Sequence, residues 1–138
     1  MSGLKVFDIA GSGMNAQNLR QSLVASNIAN ANSVSSSMDQ VYKARQPVFA
    51  AEMNNILQKS QAASGVNVLG VVESQSPPIV EYAPNHPMAD ASGYIYKPNV
   101  NSMEEMANMM SSSRSYQNNV DVLNTAKTMM LDTLKLGQ

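Results

Sequence analysis

The chain has 138 residues, which suits one ordinary domain, but aromatic side chains supply only 5% of them and Trp is absent. Charged residues make up 14% and the formal net charge is -1, so the electrostatic attraction that binds nucleic acid or an anionic membrane surface is weak, and neither partner is expected. Because no Cys is present, disulfides, thiolate metal sites and a Cys nucleophile are excluded.

The apolar composition predicts a weak core for an isolated chain. It depends on Ala and on 11 Met, which fill space adaptably but specify a rigid interior poorly. Asn, Ser and Gln replace the missing charge, and such a surface lets copies pack densely without mutual repulsion. Met1 to Ile9 contain no sustained apolar run, so we expect neither a Sec-type signal peptide nor direct membrane insertion.

The first predicted element is an N-terminal helix from about Gly3 to Ala31. Ile9, Ala16 and Leu23 recur every seven residues and Leu19 lies between the last two, which predicts a narrow apolar stripe. Because this stripe holds few large side chains, the helix would be marginal by itself.

Gly11 and Gly13 lie inside this helix. A phosphate-binding loop needs a later Gly-Lys pair and a preceding strand, and neither accompanies these glycines. Since Gly in a helix interior costs about 1 kcal/mol against Ala, we expect that another backbone approaches closely here.

The middle segment, residues 33–101, is predicted to be rich in loops. Val41 to Phe49 has an extended pattern, and Ala50 to Ala63 has moderate helix propensity without an apolar face. Runs of β-branched residues punctuated by Pro predict a small β element near residues 65–97.

His86 is the single His of the chain, and Asp90 follows it in the same predicted loop. A small enzyme that uses these two side chains is one hypothesis. Catalytic dyads need a nucleophile or third group, and metal sites need three or four ligands. The loop supplies two at most, so a structural role is favoured and no catalysis, metal or cofactor is expected.

From about Ser102 to Leu136 the sequence predicts a second and stronger helix. Ser102 is the expected N-cap, and Glu105 three residues later completes a capping box. An apolar heptad repeat follows, which is typical of a coiled coil. Its members are Met106, Met109, Tyr116, Val120, Leu123, Met130 and Leu134.

This helix has more apolar residues than one partner helix needs. Six lie off the heptad repeat: Met103, Met110, Val122, Met129, Leu131 and Leu136. A helix that is apolar on several sides must be covered on several sides, so additional copies or different subunits are implied. The cluster from Met103 to Met110 is also compatible with a promiscuous binding surface or a thioether metal site, but its helical spacing and the absence of a His ligand favour core and interface.

The predicted fold class is therefore mainly α, with long N- and C-terminal helices paired as a coiled-coil-like hairpin and a small β-containing, loop-rich middle region. We divide the chain into residues 1–32, an N-terminal helix, residues 33–101, the middle region, and residues 102–138, a C-terminal helix.

Three segments carry a resemblance to a known family. Ala25 to Ser33, ASNIANANS, closely resembles the N-terminal signature of flagellar rod, hook and hook-associated axial proteins. His86 to Asn101, HPMADASGYIYKPNVN, resembles the stretch that marks the proximal-rod members. Ser113 to Val120, SRSYQNNV, is similar to the C-terminal helix motif of the family.

The resemblance implies a structural subunit of the proximal rod of the bacterial flagellar basal body. Such a subunit would polymerise with itself and with other rod proteins and would transmit torque from motor to hook. It would leave the cell through the flagellar type III export apparatus without a cleaved signal peptide, and would reside in the rod that spans the periplasm.

The resemblance and the periodicity together suggest roles for individual residues. We expect a helix-pair seam formed by Ile9, Leu19, Leu23, Met109, Tyr116, Val120, Leu123, Met130 and Leu134. We expect polar contacts between subunits from Asn27, Asn30, Arg114 and Asn119. A different axial component is the other structural hypothesis, although hook and distal-rod chains carry large inserted domains between the same two helices.

Overall fold

The computed structural model describes residues 2–51 and 65–136. Two long helices enclose four strands in the chain order α1, β1, β2, β3, β4, α2. Their bounds are Ser2–Asn30 for α1, Arg45–Ala51 for β1, Val66–Glu73 for β2, Ile79–Tyr82 for β3, Tyr94–Lys97 for β4 and Ser102–Leu136 for α2. A single 3-10 turn, Met38–Gln40, lies between α1 and β1.

The two helices lie antiparallel and pack against each other. Arg20 Nη2 donates to Asn108 Oδ1 at 2.9 Å, and Gly13 lies beside Asn119 on the next turns. A Cβ placed on Gly13 would stand 2.9 Å from Asn119 Nδ2, so the expected close approach at this glycine is to a side chain of α2. Gly11 has open space in the same position.

β1 and β2 form an antiparallel ribbon that runs along α1. Arg45 pairs with Glu73 at one end and Ala51 with Val66 at the other. The Arg45 end lies at Asn27, and at the opposite end the Val66 N–H donates to Ser12 Oγ at 3.1 Å. The helix α1 is therefore covered on two sides, by α2 and by the ribbon.

β3 and β4 form a second antiparallel pair, from Ile79 opposite Lys97 to Tyr82 opposite Tyr94. Ser35 extends this pair, because its N–H and C=O bond the Tyr96 carbonyl and N–H at 2.9 and 3.0 Å. Ile95, 2% exposed, is the buried anchor of β4. The chain reverses before β4 at Gly93, whose φ of +82° suits glycine.

The predicted fold class, mainly α with a loop-rich middle, is wrong. Two separate antiparallel sheets occupy the middle region, and the first strand begins at Arg45, ahead of the expected β element. A strand needs an edge to pair with, and the partner of β2 overlaps the segment Val41 to Phe49, for which the sequence predicted only an extended pattern. The chain is thus two long helices separated by a strand-containing region.

The N-cap of α2 is Asn101 and not Ser102, because Asn101 Oδ1 accepts hydrogen bonds from the N–H groups of Met103 and Glu104 at 3.1 and 3.4 Å. The capping box expected from Ser102 and Glu105 is therefore wrong. The helix propensity noted for Ala50 to Ala63 falls mostly on residues 52–64, outside the described residues.

The two glycines of α1 provide a matched test of this packing. Gly11→Ala is expected to raise the free energy of unfolding by about 1 kcal/mol, because Ala favours the helix and meets no neighbour. Gly13→Ala should gain less, since its Cβ requires Asn119 to move. Urea denaturation followed by circular dichroism measures both, and equal gains would contradict the close packing at Gly13.

Candidate functional site

The signature segment at the end of α1 is organised by Asn27, which is 1% exposed. Its Nδ2 donates to the Arg45 carbonyl at 3.0 Å, and its Oδ1 accepts from the Arg45 N–H at 2.9 Å and from Tyr42 Oη at 2.8 Å. A carboxamide can satisfy both backbone groups of one residue because it carries a donor and an acceptor side by side. Asn27 therefore fastens the end of α1 to the start of β1, and we call this group the Asn27 clamp.

The residues that follow close the helix. Asn30 Nδ2 donates to the Ser26 carbonyl at 2.8 Å, and the Ser33 N–H and Oγ both donate to the Asn30 carbonyl at 3.0 and 2.8 Å. The two bonds from Ser33 satisfy the Asn30 carbonyl, which the end of the helix leaves without an intrahelical donor. Asn and Ser side chains of the signature thus form hydrogen bonds within the chain itself.

The sequence suggested polar contacts between subunits for Asn27 and Asn30, and those roles stay predictions. For Asn27 such a contact would require the clamp to open, because its side-chain oxygen and nitrogen are both bonded inside the chain. Sequence reasoning missed the clamp. The available signal was an Asn in the last turn of a helix ahead of an extended segment, which does not reveal burial.

The loop between β3 and β4 is held by Asp90. Its Oδ1 accepts from the N–H groups of Ser92 and Tyr94 at 2.8 and 2.9 Å, and its Oδ2 accepts from Tyr96 Oη at 3.1 Å. The hydrogen bond from the Tyr94 N–H is the main reason that the pKa of Asp90 lies below its ordinary value, while partial desolvation opposes it. The hydrogen bond to Asp90 in turn raises the pKa of Tyr96.

His86 has its own partner in this loop, since its Nδ1 accepts from the Met88 N–H at 3.1 Å. The Asp90 oxygens are engaged by Ser92, Tyr94 and Tyr96. Within residues 2–51 and 65–136, no group of three or more His, Asp or Glu side chains is placed to hold a metal ion. The bonds of His86 and Asp90 shape the loop and do not join the two side chains to each other.

The loss of folding stability at acid pH should depend on Asp90. A carboxyl whose pKa is lowered on folding contributes stability above its unfolded value of about 3.8, and this contribution is lost as pH falls through the lower folded value. The difference in melting temperature between the wild type and Asp90→Asn should therefore be largest near neutral pH and shrink below pH about 4. Thermal denaturation from pH 3 to 7 measures it, and a pH-independent difference would contradict the assignment.

The helix α2 has two rows of residues at alternating three- and four-residue spacing. The inner row faces α1 and is the less exposed of the two, with Ser112 fully buried. It consists of Glu105, Met109, Ser112, Tyr116, Asn119, Leu123, Ala126 and Met130. The outer row lies beside it and is largely exposed. It consists of Met103, Met106, Met110, Ser113, Gln117, Val120, Asn124, Lys127, Leu131 and Leu134.

The residues expected in the helix-pair seam divide between these surfaces. Met109, Tyr116, Leu123 and Met130 lie in the inner row. Val120 and Leu134 lie in the outer row, and Leu134 is 68% exposed. Arg114 is exposed on α2, whereas Asn119 lies against Gly13.

The α1 members of the expected seam, Ile9, Leu19 and Leu23, are half-buried. They share a helical row with Ser12 and Ser26, whose side chains bond Val66 and Tyr42. The contacts of this row point to the ribbon, and membership of these three residues in a helix-pair seam stays a prediction.

The α1 side of the helix pair is formed mostly by small or polar residues, although the inner row of α2 that faces it also holds large apolar ones. On α1 the most buried apolar residues are Ala10, Ala16 and Val24. Gln17 Oε1 and Glu105 Oε2 are buried without a hydrogen-bond partner among the described residues. An unpaired buried oxygen costs free energy, and small side chains bury little apolar area, so the helix pair is weakly stabilised by itself.

Large apolar side chains are instead exposed on α2 and on the sheets. The outer row exposes Met103 to 75%, and β2 exposes Leu69 to 70%. Among the described residues no helix is both long and apolar enough to cross a membrane. The large apolar side chains exposed on α2 and on the sheets are the candidate surface for contact with other proteins.

Comparison with known proteins gives matches at both ends and over the whole length of the chain. Residues 7–35 match a family described as flagella basal body rod protein, and residues 91–136 match the flagellar basal body rod FlgEFG protein C-terminal family. The chain is 51% identical to the flagellar basal-body rod protein FlgC of Salmonella typhimurium and 47% identical to that of Yersinia enterocolitica, over 138 residues and the full length of each. It is 33% identical to the FlgC protein of Borreliella burgdorferi over 95% of both chains.

Proposed function

The chain belongs to the FlgC family of flagellar basal-body rod proteins and is a structural subunit of that rod, and from this premise we propose that it polymerises in the proximal rod and transmits torque from motor to hook. Its partners in this proposal are further copies of itself and other rod proteins. The flagellar export apparatus is its partner during secretion. The rod that it joins spans the periplasm.

The observation that carries the polymerising role is the exposed outer row of α2. A single copy leaves Met103, Met106, Met110, Leu131 and Leu134 in solvent along one side of a helix whose other side already packs on α1. Burial of apolar surface contributes about 25 cal/mol per Å², so covering this row stabilises an assembly and leaves the isolated chain marginal. A subunit with this surface is stabilised further when neighbouring subunits cover it.

The three-segment division of the chain and the residue roles form part of the proposal. Residues 1–32 and 102–138 supply the rod core, and residues 33–101 supply the region between. Arg114, with an exposed guanidinium on α2, supports the idea of polar contacts between subunits. The seam positions that best fit a helix pair are those of the inner row.

We also propose that the subunit performs no catalysis and binds no cofactor, nucleic acid or membrane. The geometry of His86 supports this for the best enzymatic alternative, because its Nδ1 is used by the loop backbone. His86→Ala should leave swimming intact in a strain that depends on this chain. Loss of swimming with normal assembly would instead support a chemical role for His86.

Placement in the proximal rod is tested by complementation. The chain is expressed in a flagellated strain that lacks its own copy of this subunit, and swimming and the composition of isolated basal bodies are measured. Swimming should be restored, and crosslinking should join the chain to components at the base of the rod. Crosslinks confined to the rod tip would indicate a different axial component.

A further inference from the structure

A third face of α1 contacts neither α2 nor the ribbon. It carries Asp8, Asn15, Asn18, Ser22, Ala25 and Ala29, all exposed and spaced three or four residues apart around Gly11. We call this the free row of α1. Its side chains are small near the end of the helix, short and polar in the middle, and anionic near the start.

The outer row of α2 has the complementary order when it is read in the opposite direction. Between Met106 and Lys127 its largest side chains come first, at Met106 and Met110, polar Ser113 and Gln117 follow, and the cation Lys127 ends the stretch. Bulky Met side chains can pack over Ala, where two helix backbones can approach closely.

The spacings fit one antiparallel register. Asp8 precedes Ala25 by 17 residues, and Met110 precedes Lys127 by the same 17 residues. Placing Met110 opposite Ala25 therefore places Lys127 opposite Asp8, about 25 Å along the helices at 1.5 Å per residue.

The same register aligns the positions between these two pairs. It brings Met106 to Ala29, Ser113 to Ser22 and Gln117 to Asn18. Size, hydrogen-bonding capacity and charge are then matched at these five pairs, although Val120 falls opposite Asn15, and a slipped register would not bring Lys127 to Asp8.

We propose that the outer row of α2 in one copy packs antiparallel on the free row of α1 in the next copy, with Met110 opposite Ala25 and Lys127 opposite Asp8. The proposal rests on the assembly of copies described above and specifies their contact. The two rows are different surfaces of the chain, so the contact is head-to-tail. In a pair of copies, one copy keeps its free row uncovered and the other keeps its outer row uncovered, so further copies can be added at both ends.

The register also sets the stagger between copies. Within one chain Gly13 lies level with Asn119, which places Lys127 level with residue 5 of the same α1. The proposed contact places Lys127 level with residue 8 of the next copy. Neighbouring copies would then be offset along the helix axis by three residues, or about 4.5 Å.

Disulfide crosslinking tests the register directly, since the natural chain has no Cys. Chains carrying Ala25→Cys and Met110→Cys are expressed together in a strain that lacks its own copy, and isolated basal bodies are oxidised and analysed on a non-reducing gel. A dimer of this chain should appear only when both variants are present. Ala25→Cys combined with Met103→Cys, which is displaced by two helical turns, should give none.

The outcomes separate this proposal from the rod function. Rods that contain both variants but show no dimer, or a dimer only with Met103→Cys, would overturn the register and leave the rod function standing. Basal bodies that lack the chain altogether would overturn both.

Charge reversal provides the second measurement and does not depend on the Cys variants. Asp8→Lys and Lys127→Asp should each reduce swimming, and the two together should restore it. Lys135→Asp and Asp39→Lys, which reverse exposed charges off the two rows, are the matched controls and should swim normally. A double variant no better than either single variant would contradict the pairing of Asp8 with Lys127.

Discussion

Replacing Asn27 with Leu is expected to lower the free energy of unfolding by about 3 kcal/mol. This change is larger than the one expected for Gly11→Ala. Leu has the same branched shape but no polar atoms, so the N–H and C=O of Arg45 lose their side-chain partner and the Tyr42 hydroxyl keeps only Ser26 Oγ, at 3.3 Å. A buried group left without its hydrogen bond costs about 1–3 kcal/mol, and the better helix propensity of Leu offsets only a few tenths of this loss. Urea denaturation of the isolated chain measures the difference.

Asn18→Leu is the matched control for this change, because Asn18 lies on the same helix with an exposed side chain. It should leave the stability of the isolated chain nearly unchanged. If Asn27→Leu were as stable as the wild type and yet failed to enter rods, the residue would act between subunits, as the sequence suggested, and the clamp would not matter for folding.

Leu123→Asp is expected to abolish both rod assembly and swimming. Leu123 lies in the inner row of α2, half-buried against α1, and an assembly that covers the outer row would remove it further from water. A carboxylate at that half-buried position loses hydration at a cost of several kcal/mol, which exceeds what a weakly stabilised helix pair can absorb. Swimming zones and the amount of this chain in isolated basal bodies report the result.

Thr125→Asp adds the same charge two residues away, on the exposed side of α2, and should swim normally. This control separates burial of charge from a general effect of charge on secretion. If a strain that carries Leu123→Asp swims normally and has the normal amount of this chain in its basal bodies, the inner row is not the surface that contacts α1.

The two long helices could be read from the sequence because their signals are local. A heptad spacing and a change of composition at each end predicted α1 from about residue 3 to 31 and α2 from 102 to 136, within one residue of the observed bounds. The cap of α2 was misassigned by one residue because Asn101 and Ser102 are both good N-caps, and only the position of the first helical turn selects between them.

The rows of α1 were harder to assign. Periodicity identified Ile9, Leu19 and Leu23 as a stripe, but α1 is covered by two different elements, and a single sequence does not say which stripe meets which element. One contact of this row, from the Val66 N–H to Ser12 Oγ, comes from a strand 54 residues along the chain. The exposed Met residues of α2 were recognised as surplus, and the structure places them in a second row beside the first.

The sequence by itself determined the two helices, the family and the surplus of apolar surface on α2, because each depends on residues near one another in the chain or on a motif read in order. The tertiary structure alone decided the two-sheet middle region, the Asn27 clamp and the division of the helices into facing rows. Each of these depends on hydrogen bonds or packing between segments that are distant in sequence, and the free energy of such contacts is set by the partner as much as by the residue itself.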